Sequence, residues 1–281
     1  MSKSRLVLHT KPSPDSHPTL PIDRWDGDGV GAWIPEKKHM LLAKYLDGTR
    51  AMAAKWPHRV LIDPFCGPGR LQVSGESFTR DGGALIAWRQ SIASSVPFTK
   101  VLVGDLNAEK VDACVSRLLA AEAPVTRFHG PAVETAPLMA ASVPRGALCL
   151  AYLDPYNLEY LSFDIIKSLA ALRKVDFVVH FSTMDLFRNV DLELGSRARF
   201  DDAAPGWREA LKGISAANLK VEFFRYWEGL VKDLGFTFSK EKPLVYNNSN
   251  SAIYRLVAFA RHDHPLRVWS DVARGPNYDL F

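Results

Sequence analysis

Apolar positions follow two alternating spacings along this chain. Short continuous runs at residues 59–64 (Val60, Leu61, Ile62), 100–104 (Val101-Leu-Val), 147–153 and 175–181 read as buried strands. Such runs suit a parallel sheet covered on both faces. Between them lie amphipathic stretches. Residues 34–56 carry Leu41, Leu42, Tyr45 and Leu46 on one side and stop at Pro57. Residues 83–94, 108–121 (Val111, Val115, Leu118, Leu119) and 163–172 complete the helical set. Strand and helix in alternation predict an α/β fold built from crossover units.

The pattern then changes. Residues 185–213 are polar and without periodicity, which predicts loops and short helices. Residues 218–234 form an aromatic helix (Phe223, Phe224, Tyr226, Trp227, Leu230, Leu234) ended by Gly235. Two β-rich runs, 236–246 and 253–261, are separated by the turn Asn247-Asn-Ser-Asn250 and predict a late antiparallel strand pair. Ahead of the first helix, Pro12, Pro14, Pro18 and Pro21 give an extended lead-in, followed by a glycine-dotted turn, Asp26-Gly-Asp-Gly-Val-Gly31. The expected organisation is an N-terminal extension over 1–33 and one domain over 34–281, with a helical insertion at 185–235.

Composition narrows the class. Charged residues make up 23% of the chain and the formal net charge is +4, too little for a strongly nucleic-acid-binding protein. Arg255, Arg261, Arg267 and Arg274 leave room for a local basic face. Cys66, Cys114 and Cys149 have no paired spacing, which points to reduced thiols and a cytoplasmic setting. The first 21 residues lack an apolar secretory core, and no run is long enough to span a bilayer, so a soluble protein is expected. His262 and His264 lack a third ligand, and no metal site is predicted.

The most informative stretch is Val60-Leu-Ile-Asp-Pro-Phe-Cys-Gly-Pro-Gly69. A strand delivers an acid and then glycines two apart, where the backbone turns tightly and can approach a ligand. A Walker loop fails because Arg70 and Leu71 follow Gly69, and a dinucleotide fingerprint fails because Gln72 replaces its third glycine. Asp105 at the next strand tip, followed by Leu106, suits hydrogen bonding to ribose hydroxyls. Residues 71–80 read as a polar turn-like insertion. A second acid, Asp154, ends another apolar strand in Leu150-Ala-Tyr-Leu-Asp-Pro-Tyr-Asn157. The run His180-Phe-Ser-Thr-Met-Asp-Leu-Phe-Arg-Asn189 places Asp185, Arg188 and Asn189 after a third strand, as candidates for substrate binding.

Asp63-Pro-Phe-Cys-Gly-Pro-Gly69 resembles the cofactor motif of class I S-adenosylmethionine-dependent methyltransferases, especially those acting on nucleobase amino groups. The resemblance implies a Rossmann-like fold, with Asp63, Phe65, Gly67, Gly69, Asp105 and Leu106 around S-adenosylmethionine. Asp154-Pro-Tyr156 is similar to the motif in which an acid and a backbone carbonyl accept hydrogen bonds from the substrate amine and an aromatic ring stacks on the base. It implies a catalytic Asp154 shaped by Pro155 and Tyr156. The motif here is one proline short, so the aromatic arrives one position early.

Glu36-Lys-Lys-His39, the two acidic motifs, residues 181–189 and the ending His264-Pro-Leu-Arg-Val-Trp269 together resemble the bacterial three-Cys-motif partner protein family. That resemblance implies a protein partner bearing a three-cysteine motif of radical type. Three readings therefore stand: a methyltransferase acting on a nucleobase, nucleotide or other small molecule, a non-catalytic cofactor-binding accessory protein, and a nucleic-acid-binding module.

Overall fold

A computed structural model describes residues 6, 19–24, 29–193, 198–247 and 250–274. Pro12, Pro14 and Pro18, positions 26–28 of the glycine-dotted turn and the centre of the 247–250 turn lie outside the described residues. A π-helical turn, Ile34–His39, runs into α1 (Met40–Ala53), and β1 (Arg59–Asp63) follows. Next come β2 (Arg70–Gln72), β3 (Thr79–Asp81), α2 (Gly83–Ala93), β4 (Lys100–Asp105), α3 (Ala108–Ala120), β5 (Val125–His129) and α4 (Ala132–Ala141). β6 (Leu148–Leu153), α5 (Phe163–Ala170) and β7 (Val175–Phe181) complete the alternating part. The remainder is α6 (Thr183–Glu193), α7 (Trp207–Ala210), α8 (Ala216–Asp233), β8 (Thr237–Phe238), β9 (Leu244–Tyr246), β10 (Ala252–Ala260) and α9 (Asp263–Ala273).

The main sheet runs β5-β4-β1-β6-β7-β10-β8, with β9 also paired to β10. β5, β4, β1, β6 and β7 are mutually parallel, and β10 is antiparallel to β7, β8 and β9. This is the Rossmann-like, mostly parallel α/β fold with a late antiparallel pair that the chain's periodicity predicts. The side-chain period of two splits each strand between two cores. Val60, Ile62, Leu153, Phe177 and Val179 pack under α4, α5, α6 and α8. Leu61, Leu150, Tyr152, Val178 and Leu256 pack under α1, α2, α3 and α9. An aromatic group of Phe177, Phe236, Phe259 and Trp227 closes the first core.

Six elements depart from the sequence expectation. The 71–80 stretch is not a turn-like excursion: β2 and β3 form an antiparallel hairpin. The N-terminal segment joins it through bridges Asp23–Leu71 and Val30–Val73. The polar stretch after β7 begins with the eleven-residue helix α6, in which the buried apolar side chains among the described residues are Leu186 and Val190 at i, i+4. β5 and α4 fall where no element is expected. β5 is a half-exposed edge strand without an apolar run, and α4 carries Pro137 inside it. α9 follows β10 at a point where only the strand is anticipated.

One buried carboxylate sits under the second core. Asp176 at the start of β7 accepts a hydrogen bond from the Tyr45 hydroxyl at 3.0 Å. Burial raises the Asp176 pKa to about 6, against the lowering effect of Tyr45. Burial and the Asp176 charge push the Cys149 thiol up to about 12. Because the folded pKa lies above the unfolded one, the native state holds the extra proton between roughly pH 4 and 6. Stability from this group is complete below that window and is lost as pH rises through it. The Asp176→Asn variant should therefore gain on wild type by on the order of 2 kcal/mol between pH 4 and pH 7. Urea denaturation of both proteins across that range checks this. An unchanged difference between them would show that Asp176 does not titrate there.

Candidate functional site

The parallel strands all point their carboxyl ends into one crevice, where open α/β sheets bind ligands. Sheet order sets β4, β1 and β6 side by side, so Asp105, Asp63 and Asp154 arrive at three neighbouring strand tips. The crevice holds a cavity of about 790 Å³, within the range of small-molecule and cofactor sites.

The loop after β1 is fixed by its own backbone. The Phe65 N–H donates to Asp63 Oδ1 at 3.0 Å, Cys66 N–H to the Gly104 carbonyl at 2.9 Å and Gly67 N–H to Asp105 Oδ2 at 3.0 Å. Arg117 donates to the Pro68 carbonyl at 2.7 Å and to the Pro21 carbonyl at 2.6 Å, pinning loop and N-terminal segment together. Gly69 has φ +74°, and a Cβ there would lie 2.7 Å from Leu85 and 3.1 Å from Cys114 Sγ. Only glycine is accommodated at such a position.

Asp105 also accepts from the Asn107 N–H at 2.8 Å. Burial raises its pKa, opposed by the N–H groups of Asn107 and Gly67 and by Lys110. Burial raises Asp63 much more strongly, and the Phe65 N–H offsets only part of that. Asp63, Phe65, Gly67, Gly69, Asp105 and Leu106 all line the cavity, with Leu106 exposed at its rim.

Asp154, Pro155 and Tyr156 line the same cavity from the β6 side. The Asp154 carboxylate is already occupied. Lys38 Nζ lies 2.8 and 2.7 Å from its two oxygens, His180 Nδ1 is 2.7 Å from Oδ1, and the Tyr152 hydroxyl donates to Oδ2 at 3.2 Å. Burial alone would raise the Asp154 pKa, but Lys38 and His180 outweigh it and hold the carboxyl far below its usual range. A carboxylate so bonded has little capacity left for a substrate amine, the role expected from its motif. Tyr156 is 74% exposed, at the mouth rather than inside.

Asp185, Arg188 and Asn189 are not brought to the cavity. Asp185 accepts from the Leu158 N–H at 2.9 Å and from Asn189 Nδ2 at 2.7 Å, clamping the start of α6 to the segment after β6. Arg188 lies on the exposed face of α6. Three of the four C-terminal arginines make contacts within the fold, and Arg267 is exposed. Arg261 donates to the carbonyls of Ala170 and Leu172, Arg255 packs over Phe224, and Arg274 pairs with Glu241.

Sequence reasoning assigned no role to Lys38, Tyr152, His180 and Tyr254, all of which line the cavity. A signal existed for Lys38. Ile34, Lys38, Leu41, Leu42 and Tyr45 share one helical face, and a lysine on a buried face must find a carboxylate. His180 alternates with Val178 on the same face of β7 as Asp176. Its ring meets Tyr254 edge-on at 4.2 Å. Burial lowers the His180 pKa, and Lys38 adds to that, while Asp154 opposes it.

No protein-family model matches the chain, and no curated protein matches it. Solved structures do resemble it. Protein LPL1258 from Legionella pneumophila aligns over 85% of this chain and 91% of its own, at 9% identity and a TM-score of 0.50. An O-methyltransferase from Bacillus cereus in complex with SAH aligns over 78% and 79%, at 8% identity and a TM-score of 0.43. An rRNA methylase from Streptococcus thermophilus aligns over 79% and 93%, at 12% identity and 0.39. At these identities the likeness concerns the fold.

The ion pair at the centre of the site makes a stability prediction. Lys38 is 5% exposed and its partner 18%, so Lys38→Met leaves a buried, unpaired carboxylate. Such losses cost about 3–5 kcal/mol. Chemical denaturation should show a fall of that order, and adding Asp154→Asn should recover part of it. A double variant no more stable than Lys38→Met would show that the pair is not the source of the loss.

Proposed function

We propose that the protein is an S-adenosylmethionine-dependent methyltransferase. The observation that carries this is the loop from Asp63 to Gly69, held between the tips of β1 and β4 beside Asp105 and opening on the cavity. The cradle fits the cofactor. Gly67 and Gly69 both have positive φ and keep the loop free of side-chain bulk. The Asp105 carboxylate can accept from ribose hydroxyls, and the exposed Leu106 gives an apolar contact for the adenine face. S-adenosylmethionine supplies a methyl group on a sulfonium for in-line displacement. The protein's part is to hold the acceptor close and in line, and to limit water.

The acceptor expected from the sequence is an amino group of a nucleobase or nucleotide. Tyr156 at the rim supports an aromatic substrate, but the saturated Asp154 does not support the amine. A three-cysteine-motif protein as partner rests on the family resemblance alone.

Calorimetry with S-adenosylmethionine and S-adenosylhomocysteine tests the cofactor. Wild type should bind both. Asp105→Ala should weaken binding by roughly tenfold to a hundredfold, the loss of charge-assisted hydrogen bonds. Asp185→Ala, outside the cavity, should leave affinity unchanged. Absence of binding by the wild type would overturn the methyltransferase reading.

A further inference from the structure

On the acceptor side of the cavity, the His180 ring has an outer nitrogen with no hydrogen-bond partner among the described residues. Asp154 is held as an anion and can only accept, so His180 Nδ1 must carry the proton of their 2.7 Å hydrogen bond. In a neutral imidazole, Nε2 then bears the lone pair. Among the described residues Nε2 has no hydrogen-bond partner, although His180 lines the cavity and is 12% exposed. The titratable groups around this ring are Asp154 and Tyr152 from β6, Lys38 from the π-helical turn and Tyr254 from β10, with Asp63 beyond Asp154 on β1. Lys38 uses two contacts on Asp154, and its ammonium has a third donor.

We propose that His180 Nε2 is the general base for the methyl acceptor, and that the acceptor is a hydroxyl group. This rests on the methyltransferase reading above. An oriented imidazole with one free lone pair matches a single O–H, whereas an exocyclic amine asks for two acceptors, and the Asp154 oxygens are taken. In the step, the acceptor's O–H proton passes to Nε2. An oxygen lone pair forms the new C–O bond as the methyl C–S bond breaks, with that electron pair retained by sulfur. S-adenosylhomocysteine and the methyl ether leave, and the imidazolium returns its proton to water. Lys38 lies where an ammonium lowers the cost of negative charge building on the oxygen, and Asp154 is a positioning residue that holds the tautomer. General-base assistance of this kind contributes roughly 10²–10⁴-fold.

The test uses the full chain, S-adenosylmethionine carrying a ¹³C-labelled methyl group, and a small-molecule extract and a nucleic-acid fraction as separate acceptor pools. The expected product, in whichever pool it forms, has the ¹³C shift of an O–CH₃ group. His180→Gln should lose at least roughly 100-fold in rate while keeping calorimetric S-adenosylmethionine affinity, which shows that it folds. In wild type, kcat/KM should rise with pH through a value below the usual histidine range. Asp154→Asn should move that limb lower, since the anion that raises the His180 pKa is gone. An N–CH₃ product from either pool, no transfer by a cofactor-binding wild type, or an unaltered rate in His180→Gln would each overturn the proposal. Failure to bind S-adenosylmethionine at all would instead remove the reading beneath it.

Discussion

A buried ion pair between Lys38 and Asp154 sets the geometry of everything on the acceptor side of the crevice. It joins the first helical turn of the domain to a strand tip 116 residues later, at 2.7–2.8 Å to both carboxylate oxygens. Removing both charges from water is expensive, and their attraction repays that cost only with further hydrogen bonds. His180 and Tyr152 supply those bonds. The pair therefore does more than neutralise itself. It dictates which nitrogen of His180 carries a proton, and it ties the end of β7 to the tip of β6. The π-helical turn that delivers Lys38 widens the helix where this charged side chain enters the core.

Sheet order creates an electrostatic problem that this pair partly solves. Three acids at the tips of the adjacent strands β4, β1 and β6 repel one another across the crevice. Each is accommodated differently. Asp154 receives three cationic or proton-donating side chains, Lys38, His180 and Tyr152, and is held far below the usual carboxylate range. Asp105 receives two backbone N–H groups, with Lys110 nearby, and keeps part of its surface in solvent. Asp63 is 1% exposed, has one backbone donor, and is displaced furthest toward its neutral form. The crevice is thus graded, from a fixed anion with its cation at the acceptor end to hydrogen-bonding carboxylates at the loop end. That grading suits a cationic sulfonium near the middle and polar hydroxyls at either side.

The chain announced its sheet more openly than its site. Continuous apolar runs such as Leu148–Leu153 were legible because burial on both faces leaves no room for polar alternation. Edge strand β5 and the Pro137-containing helix α4 were not, since neither needs a clean apolar pattern where they sit. The cofactor loop could be read because backbone conformation there constrains residue type directly, as Gly69 shows. Asp185, Arg188 and Asn189 do not line the cavity, because position after a strand does not say where a side chain turns. α6 begins at Thr183 and carries all three away from the cavity. Lys38 and His180 went without a role because each matters only through the other's partner, a relation that no local spacing encodes.

The shortened motif at Asp154-Pro-Tyr156 gains a physical sense from these contacts. An acid that binds a substrate amine must keep its oxygens available and its aromatic neighbour over the pocket. Here the oxygens are committed to Lys38, His180 and Tyr152, and the aromatic of Tyr156 stands at the mouth, 74% exposed. Both departures have the same consequence. The strand tip is converted from a direct ligand for the acceptor into the support of a histidine, and the unshared lone pair moves from a carboxylate oxygen to an imidazole nitrogen. A carboxylate so strongly stabilised is a poor proton acceptor. A neutral imidazole whose pKa burial has lowered is available as one near neutral pH.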